Sequence, residues 1–407
     1  MKIAKMGSTR QNAPAPGAIT ILDCRELDTA SAHRRLGQEA RTQIHKILTR
    51  RLDGMNGMEN VIGQIIRARA FQAALNSKLS LPGLDEALRA AILQYQACVR
   101  AWAQGAGLDH FRHPDLPLAG EPVRAEDLAT LLQEDEAGCQ TGLLRDPNGG
   151  VILWHAEEDL EQAPGDRFEK FRLFYFRAAN GSSACGFIYP DLLPGPTFGW
   201  QAGDYAQHVY AQHVYAQHDY AQAVDSLHAR QKDLEDAILP NTLAWLSLYL
   251  GAQGISSEHK GRYANLVEIL GPYQGGYSLT AHSKKNGLVS VEKVDFMNDQ
   301  LAACQLGTET GSSLFQTNII RDLTQPIGAE EQTSPENRTW NEVRQKRTER
   351  FLRVIRNSSE PLPLIFRMLS SRLGGESSYA NRDVKATLVC QMDPQKTCLW
   401  VNGMEIK

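Results

Sequence analysis

The region that decides the fold is Gly138–Asp159, with the sequence GCQTGLLRDPNGGVILWHAEED. Apolar residues with a period of about two lie on both sides of the turn-forming DPNGG, which predicts a β-hairpin with strands at Cys139–Leu144 and Gly150–His155. Because the strands of a hairpin are antiparallel, the start of the first lies beside the end of the second. We therefore expect Cys139 to be a spatial neighbour of the acidic cluster Glu157–Asp159.

The chain upstream of this hairpin has the pattern of helices. Apolar residues recur at spacings of three and four within His33–Leu52, Met58–Leu79 and Leu84–Ala103. This spacing is typical of helices with one buried face. A short strand is predicted before them at Ile19–Leu22, so the segment 1–138 is expected to be mainly helical.

The last part of that segment is acidic. Residues 121–138 contain six acidic residues and one base, Arg124. Together with the prolines of this region, the composition predicts an exposed linker with one short helix at Ala125–Leu132.

Downstream of the hairpin the pattern alternates between the two periods. We predict two helices, at Val224–Ala252 and Trp340–Asn357. The predicted strands are Phe168–Arg177, Ala184–Pro190, Gly276–His282, Gly287–Val294, Phe315–Ile320 and a closing hairpin of Lys385–Met392 with Thr397–Val401. The mixture predicts an α+β fold.

The overall composition is that of a globular protein. The 407 residues are 42% hydrophobic and 22% charged, with a formal net charge of −4. This charge gives no general attraction to nucleic acid or to an anionic membrane. No apolar run reaches the roughly 18 residues that a membrane span needs, and the amino terminus lacks the apolar core of a signal peptide. We expect a cytoplasmic protein; a homo-oligomer is compatible with the sequence.

Neither the cysteines nor the histidines form a metal-ligand pattern. The seven cysteines are scattered without a CxxC pair, which argues against a zinc site and against a disulfide framework. Tyr-Ala-Gln-His recurs at 205–208, 210–213 and 215–218, with a fourth Tyr-Ala-Gln at 220–222. A step of five distributes the three histidines around a helix or on alternating faces of a strand. We interpret the repeat as a tandem duplication in a surface segment and expect no metal and no cofactor.

Several short motifs occur around the hairpin in a characteristic order. They are Leu36-Gly37-Gln38-Glu39-Ala40-Arg41, Gly138-Cys139, Gly275-Gly276-Tyr277-Ser278-Leu279, Val289-Ser290-Val291-Glu292, Gln316-Thr317-Asn318, Arg347-Thr348-Glu349-Arg350-Phe351 and Val401-Asn402-Gly403. In this order and spacing, from about residue 30 to the end, the sequence resembles the peptidase C45 family. That family groups self-cleaving hydrolases and acyltransferases related to acyl-coenzyme A:6-aminopenicillanic acid acyltransferase, and it belongs to the N-terminal-nucleophile (Ntn) hydrolases.

The resemblance implies a fold and a domain organisation. The expected fold is a four-layer αββα sandwich of the Ntn-hydrolase type, within the α+β class. Residues 1–138 and 139–407 would be two pieces of one domain, separated by a cleavage site rather than by a domain boundary.

The resemblance also implies a mechanism and a set of site residues. The chain would cleave itself between Gly138 and Cys139, and Cys139 would then be a nucleophile with its own α-amine as the base, since that amine has an ordinary pKa near 8. The side-chain amide of Asn318 would stabilise the oxyanion. Asp159 would hold the amine of Cys139, and Arg350 would offset carboxylate charge or bind substrate.

His155, Glu157 and Trp200 are the candidates for contact with a small amide or acyl thioester substrate.

Other interpretations of the same residues stay open. Amide hydrolysis and a biosynthetic transfer from an acyl thioester use the same chemistry in opposite directions. A non-catalytic binding module is the third alternative, because Glu157, Gln316 and Glu349 depart from the residues usual in the family. In that case Cys139 is a core cysteine beside a solvated turn, Asn318 a turn residue, His155 a half-buried histidine and Arg350 part of a charged helix face. Trp200 would pack beneath a loop.

Overall fold

The structure is a computed structural model. It describes residues 19–55, 58–116, 122–133, 138–158, 171–202, 219–226, 237–251, 262–271, 273–283, 289–298, 300–317, 335–370, 384–393 and 397–406. The helices are α1 (Thr29–Gly54), α2 (Met58–Lys78), α3 (Glu86–Gly105), α4 (Ala125–Leu132), α5 (Pro240–Leu250), α6 (Arg262–Leu270), α7 (Pro335–Ile355) and α8 (Pro361–Ser370).

The strands are β1 (Thr20–Asp23), β2 (Gly138–Arg145), β3 (Val151–Glu158), β4 (Arg172–Arg177), β5 (Ser183–Ile188), β6 (Thr197–Ala202), β7 (Tyr220–Ser226), β8 (Tyr273–Ser283), β9 (Val289–Asn298), β10 (Gln300–Gln305), β11 (Ser313–Thr317), β12 (Val384–Met392), β13 (Thr397–Val401) and β14 (Met404–Ile406). Together with the helices they form a fold of the α+β class.

Within the described residues the strands form two sheets. The first has eight strands in the order β1-β4-β5-β6-β7-β8-β9-β10, and the second has six in the order β11-β2-β3-β12-β13-β14. Neighbouring strands are antiparallel except for the parallel pair β1 and β4. The predicted hairpin is therefore an internal pair of the second sheet, with β11 beside β2 and β12 beside β3.

The two sheets face each other across an apolar core. The second sheet contributes Leu143, Leu153 and Leu388 to this core, and the first sheet contributes Phe187, Phe198 and Leu279. Alternation along the strands places every second residue on this inner face.

Helices cover the outer face of each sheet. The helices α1 to α6 pack on the first sheet in one cluster that includes Leu36, Trp102, Trp245, Phe174 and Phe296. Helices α7 and α8 pack on the second sheet through Leu352 and Ile365, which contact Trp154. The described elements are thus stacked in the order helices, sheet, sheet, helices.

The predicted helices and strands at the amino-terminal end are confirmed to within a few residues. α1, α2 and α3 coincide with the predicted helices, and α4 matches Ala125–Leu132. The side chain of Asp28 caps α1 by accepting from the backbone N–H of Ser31 at 2.9 Å. Asp85 caps α3 in the same way, accepting from Ala87 and Leu88.

The expected exposed linker is wrong for the part that is described. Leu128, Leu131 and Leu132 of α4 belong to the helical core. The carboxylate of Asp127 is fully buried and accepts from the guanidinium of Arg69 at 3.0 Å. The carboxylate also binds the guanidinium of Arg124 at 2.7 Å, so one local and one distant arginine together compensate the buried charge, and only the local one is visible in the composition.

The predicted helix Val224–Ala252 is also wrong over its first part. Tyr220–Ser226 is the strand β7, and a helix begins only at Pro240. β7 is central in the first sheet, so a strand there is stabilised by ladders on both sides, which a local pattern does not reveal. The strands β6 and β10 and the helices α6 and α8 were not predicted.

The repeat is only partly described. Its first three copies, at 205–218, lie outside the described residues. The fourth, Tyr220–Gln222, lies in β7 and is buried, so the interpretation as a surface segment is wrong for this copy.

Candidate functional site

The register of β2 and β3 places Cys139 directly opposite Glu157. In the same ladder Gly138 pairs with Glu158 and Thr141 pairs with His155. The expectation that Cys139 neighbours the acidic cluster is confirmed for its first two members. Asp159, the third member, lies outside the described residues.

Thr141, His155 and Glu157 lie on the inner face of the second sheet. Leu143 and Leu153 form the next pair on the same face of the ladder after Thr141 and His155, and both belong to the core between the sheets. Since side chains alternate along a strand, Thr141 shares the face of Leu143, and His155 and Glu157 share the face of Leu153. The candidate site is therefore one end of the space between the two sheets.

A buried hydrogen-bonded series runs along this face. The hydroxyl of Thr141 lies 2.9 Å from Nδ1 of His155, and Nε2 of His155 donates to Oε1 of Glu157 at 2.8 Å. All three residues are 0% exposed. His155 is thus fully buried rather than half-buried, and Glu157 is not part of a solvated turn.

The other carboxylate oxygen of Glu157 is bound from the first sheet. The hydroxyl of Tyr189 donates to Oε2, and the side chain of Thr197 also hydrogen-bonds to the carboxylate. Thr197 has a φ of 71°, a left-handed backbone conformation that is strained for a β-branched residue. Such strain persists where the surrounding structure imposes it, and it is common at functional sites.

These contacts determine the charge of Glu157. Burial alone would raise the pKa of this carboxyl, but the charge of His155 and the hydrogen bonds from His155, Tyr189 and Thr197 lower the pKa below its usual value. The site therefore holds a fully buried carboxyl group opposite the backbone of Cys139, hydrogen-bonded from both sheets.

The series has the group types of a hydrolase triad: a hydroxyl, an imidazole and a carboxylate. Its hydroxyl, however, belongs to Thr141, which is fully buried in the core, so no substrate reaches it. These hydrogen bonds instead fix the orientation of the Glu157 carboxyl.

Trp200 lies in the middle of β6. Its ring packs edge-to-face on Tyr175 with the ring centroids 5.5 Å apart. It is only partly buried and borders the core between the sheets. Contact of Trp200 with substrate stays a prediction.

Arg350 lies on α7 with an exposed side chain. That helix packs on the outer face of the second sheet, whereas His155 and Glu157 lie on the inner face. The structure does not bring Arg350 together with these two residues, and its expected role stays a prediction.

Asn318 and the side chain of Cys139 lie outside what the structure describes. The residue before Asn318, Thr317, pairs with Gln140 in the ladder of β11 and β2. The chain therefore enters residue 318 from the strand next to β2. The role of Asn318 as an oxyanion donor stays a prediction.

Sequence reasoning missed Thr141, Tyr189 and Thr197. Tyr189 is separated from Glu157 by 32 positions, so no local pattern joins the two. The only available signal was Pro190-Asp191-Leu192-Leu193-Pro194-Gly195-Pro196, a turn-rich stretch directly after a predicted strand.

The described part of the chain contains no group of three or more His, Cys, Asp or Glu side chains arranged to hold a metal ion. Among its helices, none has the length and apolar character required to cross a membrane. Comparison with models of known protein families finds no match, and comparison with curated proteins finds none either.

Proposed function

We propose that the chain is a cysteine-dependent hydrolase or acyltransferase that acts on linear amide C–N bonds through an acyl-Cys139 intermediate. The observation that supports this most is the pairing of Cys139 with Glu157, whose carboxyl is fully buried and has a pKa lowered by His155 and by its hydrogen bonds. A buried anion is stable beside a cation, and cleavage before Cys139 would create an α-ammonium group at this point of the strand.

The Ntn-hydrolase type of the fold is part of the proposal. It is supported by the stacking of two facing sheets between two layers of helices, and by the position of Cys139 near the start of an inner strand. A cytoplasmic location also belongs to the proposal.

The first step would be self-cleavage. The thiol of Cys139 attacks the carbonyl carbon of Gly138; a C–S bond forms, the S–H and peptide C–N bonds break, and the thiol proton passes to the released amine. Water then hydrolyses the thioester, which yields the carboxylate of Gly138 and the free thiol and α-amine of Cys139. No oxidant, reductant or metal ion takes part.

Turnover would repeat this chemistry on a substrate amide. The α-amine of Cys139 removes the thiol proton, sulfur attacks the carbonyl carbon, and the proton passes to the leaving amine. Asn318 would donate to the developing oxyanion, for which removal of one donor typically costs about 10²–10³ in rate. Asp159 would bind the α-amine together with Glu157, and Arg350 would bind substrate or offset carboxylate charge.

Intact-mass measurement after expression tests the proposal. The wild-type chain should appear as two fragments that separate before Cys139, and the Cys139→Ser and Cys139→Ala variants should show slowed and abolished cleavage respectively. Cys304→Ala is the matched control, because Cys304 is exposed on β10, and it should cleave as the wild type does. A wild-type chain that remains whole contradicts self-cleavage and favours a non-catalytic binding module.

The direction of acyl transfer is tested separately. The cleaved protein is incubated with N-acyl amino acids, β-alanyl amines and acyl thioesters, with water and an added amine in competition. A hydrolase releases free acid, whereas a biosynthetic acyltransferase forms the new amide, and mass spectrometry distinguishes the two products.

A further inference from the structure

Gln133 anchors the chain just before the proposed cleavage site. It follows α4, and its side chain is 2% exposed. Its Oε1 accepts from the backbone N–H of Leu193 at 2.9 Å, and its Nε2 donates to the carbonyl of Asp191 at 3.3 Å. Its own backbone carbonyl accepts from the side-chain amide of Asn241. The side chain and the backbone of Gln133 are therefore hydrogen-bonded to Asp191, Leu193 and Asn241.

The segment Tyr189–Leu193 contacts residues on two strands of chain near the Gly138–Cys139 bond. Upstream of the bond it binds Gln133 through Asp191 and Leu193. On the neighbouring strand it binds Glu157, the residue opposite Cys139, through the hydroxyl of Tyr189. One segment of five residues thus connects Gln133 with the residue that faces Cys139.

Gln133 lies close enough to Gly138 along the chain to restrict the position of Gly138. Gln133 and Gly138 are only five positions apart, a span of at most about 17 Å when fully extended. A buried anchor at this distance limits where the carbonyl of Gly138 can lie. Intramolecular attack requires that the reacting atoms be held in a narrow range of distance and angle, and a misplacement of about 1 Å costs up to about 10²-fold in rate.

We infer that Gln133 is a positioning residue for self-cleavage: through Asp191 and Leu193 it holds the chain upstream of the bond in register with Cys139 and Glu157. The inference rests on the proposed function, because it needs the bond between Gly138 and Cys139 to be the one that breaks. Gln133 does not touch the reacting atoms, so its effect is limited to the cleavage step.

The test is a time course of cleavage from newly synthesised chain, followed by intact mass. Gln133→Leu keeps the approximate volume of the side chain and removes its hydrogen bonds to Leu193 and Asp191, together with a longer one to the carbonyl of Ala129 at 3.5 Å. Gln72→Leu is the matched control, since Gln72 also binds α4, through the carbonyl of Glu126 and the hydroxyl of Thr130, but lies away from the cleavage site. The midpoint temperatures of thermal unfolding of both variants show how far each substitution destabilises the fold as a whole.

We expect Gln133→Leu to slow cleavage about tenfold or more relative to Gln72→Leu of similar thermal midpoint. In the cleaved fraction, turnover per free Cys139 amino terminus should equal that of the wild type, because the bond that Gln133 positions no longer exists. Equal cleavage rates for the two variants overturn the inference, and so does a parallel fall in turnover. A wild-type chain that never cleaves is recognisable in its own time course, and it refutes the proposed self-cleavage together with the inference.

Discussion

Cys139 and Glu157 occupy directly opposed positions in the ladder of β2 and β3, and the carboxylate of Glu157 is fully buried. Directly opposed residues of an antiparallel pair are close neighbours on one face of the sheet. The negative charge of Glu157 is held from the second sheet by His155 and from the first sheet by Tyr189. Both sheets therefore contribute to the electrostatic surroundings of position 139.

Replacement of Glu157 by Gln is expected to reduce turnover by about 10- to 100-fold. The amide keeps the shape and one acceptor oxygen but removes the charge, and hydrogen bonds to a charged group are worth about 1.5–3 kcal/mol. The measurement is the turnover number per free Cys139 amino terminus. The control is Glu360→Gln, because Glu360 is exposed and lies just before α8. Unchanged turnover in Glu157→Gln would contradict a role for this charge.

Gly142→Ala is expected to destabilise the protein by about 1–3 kcal/mol. A methyl group at Gly142 would lie 2.1 Å from Cζ2 of Trp154, which is fully buried between β3 and α7. Overpacking of this kind forces side chains or backbone to shift. Gly63→Ala on α2 is the matched control, because nothing lies within 4 Å of the added methyl group and alanine is favoured in a helix. Denaturant unfolding should show a lower free energy of unfolding for Gly142→Ala and a higher one for Gly63→Ala, each compared with the wild type.

His33 should make the protein less stable in acid. Its Nδ1 donates to the carbonyl of Thr29 at 2.7 Å and its Nε2 accepts from the indole of Trp245 at 3.0 Å, which fits only the neutral ring. Burial lowers the pKa of His33 from 6.5 to about 4. Between these values the unfolded chain binds the proton and the folded chain does not.

The folded state should therefore lose about 3 kcal/mol through His33 as the pH falls from 6.5 to 4. Titration of His33 by NMR measures the pKa directly. In parallel, the difference in unfolding free energy between wild type and His33→Gln should shrink over the same range. A His33 pKa near 6.5 in the folded protein would contradict the prediction.

Glu292 is expected to have the opposite effect over a similar range. Its carboxylate accepts from the backbone N–H of Tyr263 at 3.0 Å, in the first turn of α6. Burial is the main cause that raises the pKa of Glu292 from 4.5 to about 7, against the lowering effect of its backbone hydrogen bonds. The folded chain then keeps a proton that the unfolded chain has lost.

Stability from Glu292 is fully present below pH 4.5 and decreases as the pH rises through 7, by about 3 kcal/mol in total. Glu292→Gln keeps an acceptor for Tyr263 but does not ionise. Its stability relative to the wild type should increase between pH 4.5 and 8, as measured by urea unfolding at several pH values. A constant difference across this range would show that Glu292 titrates normally.

The local elements of the fold were largely predictable. The turn residues 146–150 and the alternation beside them predict β2 and β3 and place the start of β2 beside the end of β3, because a tight turn makes the two strands antiparallel neighbours. The three-and-four spacing likewise predicts α1, α2 and α3. These features depend on neighbours within a few residues along the chain.

The errors have a different origin. The charges of α4 suggested exposure, but Asp127 is buried and binds Arg69, 58 positions away, in addition to the local Arg124. The end of β7, from Val224 onward, was assigned to a helix, although β6 and β8 stabilise it as a strand. In each case the deciding partner is distant in the sequence.

The sequence by itself determined that Cys139 begins a hairpin strand beside an acidic cluster, because backbone geometry and turn chemistry act over short distances. Only the tertiary structure decided that Glu157 is buried with a lowered pKa, and that Tyr189–Leu193 joins it to Gln133. Burial and pKa depend on what packs against a residue from the other sheet. That packing follows from the apolar core as a whole and not from any local pattern.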